Sequence, residues 1–96
     1  MFNHGLFQFL EEESKKYLQE IGKTFNPNYS ILFWDDQESL KKGIAFYEKA
    51  LTLVDIQDNS AIKHIDTVTV KPGKEAELKQ LIQDMDAAGL LIQKYK

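Results

Sequence analysis

The sequence predicts a small α+β domain in which a strand–helix–strand–strand–helix–strand core follows one additional N-terminal helix. Three observations predict it. Apolar residues recur at helical spacing in three separate stretches, short runs of β-branched and aromatic residues lie between them, and turn-forming residues mark the joins. The chain has 96 residues, one domain's worth. Residues 1–96 are therefore expected to form a single globular unit, with the first helix over about residues 5–21 and the α/β core over about 29–96.

In the first helix Phe7, Leu10, Ser14, Tyr17, Leu18 and Ile21 fall at helical spacing, while Glu11, Glu12, Glu13, Lys15 and Lys16 take the other side. Gly22 is a C-terminal stop, and Asn26-Pro27-Asn28 makes a turn or loop. Tyr29-Ser30-Ile31-Leu32-Phe33-Trp34 is apolar on both faces, which fits a buried strand. Asp35 or Asp36 then caps a second helix, with Glu38 three residues after Asp35 as in a capping box.

That second helix, over residues 36–54, is the clearest element. Leu40, Ile44, Tyr47, Leu51 and Val54 recur at +4, +3, +4 and +3, with Phe46, Ala50 and Leu53 widening the stripe, and this pattern predicts a principal core helix. Residues 53–57 fit either its last turn or a short strand. Asp58-Asn59-Ser60 is a turn in both cases. Residues 61–71 read as a strand, with Ile62, Ile65, Val68 and Val70 interleaved by Thr67 and Thr69 and ended by Pro72-Gly73. A third helix follows over 74–88, carrying Leu78, Leu81, Ile82 and Met85 on one face. Gly89 stands where a left-handed cap belongs, Leu90 can pack back over it, and 90–96 alternate as a final strand. With 53–57 extended, the order is βαββαβ, the ferredoxin-like arrangement. With 53–57 helical, a three-stranded variant remains.

Composition narrows the chemistry. Hydrophobic residues at 43% and charged ones at 28% are ordinary globular proportions, which argues against a disordered or fibrous chain. There is no cysteine, so disulfides, thiolate nucleophiles and zinc-thiolate sites are excluded. A small secreted domain usually needs disulfides, and the N-terminus has neither the cationic region nor the cleavage site of a signal peptide, so a cytoplasmic location is expected. All 12 basic residues are lysine and the net charge is −3. Without arginine, and with an acidic balance, no nucleic-acid partner is expected. Charges recur too often for a membrane span, so no membrane partner is expected either. No GxGxxG, P-loop or nucleophile-elbow pattern occurs, so no cofactor is expected and catalysis is disfavoured.

Two constellations could still carry function. His64 and Asp66 share one face of a strand, where the carboxylate can orient the imidazole and raise its basicity. Asp35 and Asp36 directly follow the first strand, the place where sites gather in open α/β folds, and two carboxylates there could hold a divalent cation or simply cap the next helix. His64, Asp66, Trp34 and Asp35 together make the ligand site of an alternative reading, a small-molecule-binding or enzymatic domain of dimeric ferredoxin-like type. The other constellation is aromatic: the chain is 11% aromatic, and its first helix is expected to display more apolar surface than one sheet covers. Leu6, Phe7, Phe9 and Tyr17 are its candidate partner-binding residues, unless that helix lies across the domain and buries them. The reading that follows is a small non-enzymatic protein-interaction or regulatory module, binding a protein partner or itself as a homo-oligomer.

Local likenesses add little. Residues 64–82, HIDTVTVKPGKEAELKQLI, resemble the strand, Pro-Gly turn and helix of dimeric α/β-barrel monooxygenase-like proteins, without a transferable catalytic residue. Residues 43–53, GIAFYEKALTL, are similar to the second helix of a tetratricopeptide repeat and to the first helix of a glyoxalase-type module. No second repeat copy and no paired metal ligands accompany them, so no family assignment follows.

Overall fold

Two helices of this chain end as their C-terminal glycines dictate. In the computed structural model, which describes residues 4–58 and 66–95, α1 runs His4–Glu20 and α3 runs Glu75–Ala87. Both stop at a glycine in the left-handed region, Gly22 at φ 83° and Gly89 at φ 78°. The closing bonds have the same form. Lys23 N–H donates to the Leu18 carbonyl and Gly22 N–H to Gln19, and Leu90 N–H donates to Met85 and Gly89 N–H to Asp86. That is the Schellman pattern, which satisfies carbonyls that a helix end would otherwise leave bare.

The strands are β1 (Tyr29–Leu32), β2 (Val54–Asp58), β3 (Asp66–Val70) and β4 (Leu91–Tyr95), and α2 spans Gln37–Leu51 between β1 and β2. Residues 54–58 are thus extended: α2 ends at Leu51, where the Thr52 N–H and Oγ1–H both donate to the Lys49 carbonyl. After α1 the order is βαββαβ. The pairing forms two antiparallel ladders, β1 with β4 and β2 with β3. In the β2–β3 ladder Val54 faces Val70 and Ile56 faces Val68 on the core side, while Asp55 faces Thr69 and Gln57 faces Thr67 outside. The β1–β4 ladder is irregular, with a register shift between Ser30 and Leu32. Ile31 and Leu32 are both buried, as a strand covered on both faces requires.

One core joins these parts. Leu6 and Leu10 of α1 meet Leu32, Tyr47, Ala50, Leu53 and Val54, together with Leu78, Leu81, Ile82, Met85 and Leu90. Helix α1 packs against β1 of one ladder, β3 of the other, and α3, whereas α2 packs against α3 and β2. The additional helix is therefore a structural member that ties the two ladders together. Among the described residues no helix is long and apolar enough to cross a membrane.

Candidate functional site

Helix α2 starts where Asp36 caps it. The Asp36 carboxylate accepts from the Ser39 N–H at 2.7 Å and from the Ser39 hydroxyl at 3.1 Å. The backbone hydrogen bond from Ser39 is the main reason that the Asp36 carboxyl sits below its ordinary value. The expected box between Asp35 and Glu38 does not form. Glu38 pairs with Lys42 on the next turn, and Asp35 pairs with Lys94 of β4.

With α2 anchored in this way, its buried face comprises Gly43, Tyr47 and Ala50. The core stripe expected from the sequence is rotated. Leu40, Ile44 and Leu51 are 36%, 39% and 42% exposed and form a row along the side of the helix. The cause is Trp34. Its indole lies so close to Gly43 that a β-carbon there would sit 2.5 Å from Trp34 Cδ2, a clash that only glycine avoids. The ring occupies the space a larger residue would need, and the face centred on Gly43 turns inward.

Trp34 also builds the groove at the start of that row. Phe7 of α1 meets it edge to face, with ring centroids 5.2 Å apart and planes at 89°. Phe7, Trp34, Leu32 and Leu40 supply the apolar walls of a cavity of about 310 Å³, and Ser30, Asp35 and Lys94 supply its polar rim. Lys94 Nζ lies 4.4 Å from the Phe33 ring centroid besides pairing with Asp35. One residue from the expected partner surface, Phe7, and two from the expected ligand site, Trp34 and Asp35, are thereby brought together.

The other expected residues go elsewhere. Leu6 is wholly buried in the core and has no surface to offer. Phe9 and Tyr17 are half-buried and packed on that core. Tyr17 borders a separate groove with Glu13, Lys16, Glu20 and Lys79, and its hydroxyl donates to Asp86 at 3.4 Å. Burial first, then the Asp86 charge and hydrogen bond, raise the Tyr17 phenol above its ordinary value, with Lys79 opposing. His64 lies outside the described residues. Asp66 is placed only as a backbone partner of Asp58 at the end of β3, so the expected His64–Asp66 pair receives no geometry. Among the described residues no three histidine or acidic side chains cluster as metal ligands would.

Sequence reasoning missed Gly43, Leu40, Ile44 and Leu51 as surface-shaping residues. The available signal was a lone glycine in a strongly apolar helix, which marks close approach by another group. Compared with protein-family models, with curated proteins and with solved structures, the chain matches none.

Proposed function

We propose that the chain is a small non-enzymatic protein-interaction or regulatory module, acting by binding a protein partner or itself. The observation that carries this is the exposed row Leu40, Ile44 and Leu51, running into the groove lined by Phe7 and Trp34. Three partly exposed aliphatic side chains along one helix, the first of them lining an aromatic groove with a charged rim, are the kind of apolar surface that association uses. The groove's polar rim fits this role. Ser30, Asp35 and Lys94 can orient a partner while the rings and leucines supply the buried area.

The fold reading goes with it. The βαββαβ order, and the pairing of β1 with β4 and β2 with β3, support a ferredoxin-like relation in which the two ladders are the outer pairs of one sheet. Helix α1 then braces their junction and leaves α2 as the face offered outward.

The test compares the wild-type chain with Ile44→Asp, immobilised side by side and also analysed by light scattering. Self-association, or capture of a protein that the variant loses, supports the reading. A strict monomer whose captured proteins are the same with and without Ile44→Asp overturns it.

A further inference from the structure

We infer that the occupant of the α2 row is a second copy of this chain, whose own α2 lies antiparallel across a two-fold axis near Ile44. The inference rests on the interaction reading above and names its partner. Its basis is the order of charges beside the apolar row. At 3.6 residues per turn, Leu40, Ile44 and Leu51 fall within about 40° of one another around α2. Lys41 and Glu48 are both exposed and come next on the solvent side of that row, one towards each end of the helix. Lys42, further round, is already engaged with Glu38 at 3.5 Å. Lys41 and Glu48 have no ion-pair partner among the described residues of their own chain.

Two helices related by a two-fold axis perpendicular to them run antiparallel, and the same flank of each faces the same flank of the other. Lys41 of one copy then meets Glu48 of the second, and Glu48 meets Lys41, so the contact supplies two opposite-charge pairs. A parallel two-fold pair would put this flank of each copy on opposite sides of the seam, so neither Lys41–Glu48 pair would form. The apolar row is self-complementary under the same operation. Leu40 comes opposite Leu51 of the second copy, beside the groove of Phe7 and Trp34, and Ile44 lies near the axis. A surface whose charges and apolar residues both match their own two-fold image fits a copy of itself better than an unrelated partner.

Sedimentation velocity over a concentration series tests this with wild type, K41E, E48K, the double variant K41E/E48K and an equimolar mixture of the two single variants. Circular dichroism confirms that each chain is folded. A reversible wild-type dimer is expected, weakened about tenfold or more in each single variant, where both pairs become repulsive. Mixing the single variants restores both attractions in a heterodimer, and the double variant restores them in a homodimer. A wild-type dimer that ignores all these changes overturns the two-fold pairing while leaving the interaction reading in place. A wild type that stays monomeric at every concentration also overturns it, and capture sensitive to Ile44→Asp then decides the broader reading separately.

Discussion

Helices α1 and α2 carry similar apolar stripes and are covered to different extents. The aromatic α1, read from sequence as the helix with surface to spare, sends Leu6, Leu10 and Leu18 fully inside. The strongly periodic α2, read as the main core helix, leaves Leu40, Ile44 and Leu51 outside. The difference lies in their neighbours. Helix α1 is packed by β1, β3 and α3, so its stripe is covered from Leu6 to Leu18, and only Ile21, just past its last turn, is left 47% exposed. Helix α2 has α3 and β2, and Trp34 against Gly43 turns a narrow face inward. An apolar stripe states that a helix has something to bury, and the surrounding elements decide which part of it is buried.

The comparison breaks most sharply at its two extremes. Leu10→Ala in α1 removes a fully buried side chain and should destabilise the domain by about 2–5 kcal/mol in urea unfolding. Ile44→Ala in α2, measured where the chain is dilute, should change stability by less than about 1 kcal/mol. Equal losses at the two sites would place both stripes in the core and refute the contrast.

Next in size is Gly43→Ala. The new methyl group must displace the indole, an overpacking loss of about 1–3 kcal/mol, against about 1 kcal/mol gained from better helix propensity. Because Trp34 is the chain's single tryptophan, its emission reports the displacement directly. Unchanged emission and stability would mean that the indole does not set the rotation of α2.

Acid and alkali separate the two helices in another way. Asp36, the α2 cap, titrates below its ordinary value when folded, so its contribution is present above the unfolded carboxylate range and is lost as pH falls through the folded value. Asp36→Asn keeps a capping oxygen without this titration and should make acid unfolding shallower. Tyr17, on α1, is raised above the phenol value of 10.0, so its contribution is present below that pH and is lost as pH rises through the folded value. Tyr17→Phe should flatten the alkaline side of a plot of unfolding midpoint against pH. Each variant altering the wrong limb would contradict these assignments.

The smallest effect belongs to Ser14. Its hydroxyl is wholly buried in α1 without a hydrogen-bond partner among the described residues. Ser14→Ala should therefore be neutral or stabilising by up to about 1 kcal/mol. A clear loss of stability would reveal a partner for that hydroxyl.

Local chemistry was the legible part of this molecule. Gly22 and Gly89 announced their helix stops, the Asp35-Asp36 pair a cap that falls to Asp36, and the alternation of Val68 and Val70 with threonines its strand. Those signals act within a few residues, where side-chain type and backbone preference suffice. The rotation of α2 was not legible because it depends on Trp34 meeting Gly43, a contact set by tertiary packing and not by periodicity. The groove was half legible: Phe7, Trp34 and Asp35 were each singled out, but from two different readings, and only the fold joins them with Leu40 and Lys94. The fate of Leu6 shows the converse error, since ring and leucine counts on α1 could not reveal that β1, β3 and α3 all converge on it.

The most direct test of the central claim, that α2 and not α1 is the outward face, is an amide NMR dilution series on the ¹⁵N-labelled chain. Shifts that change with concentration are predicted to map to Leu40, Lys41, Ile44, Glu48 and Leu51 and to the Trp34 indole. Changes confined to the outer face of α1, or none at any concentration, would contradict it.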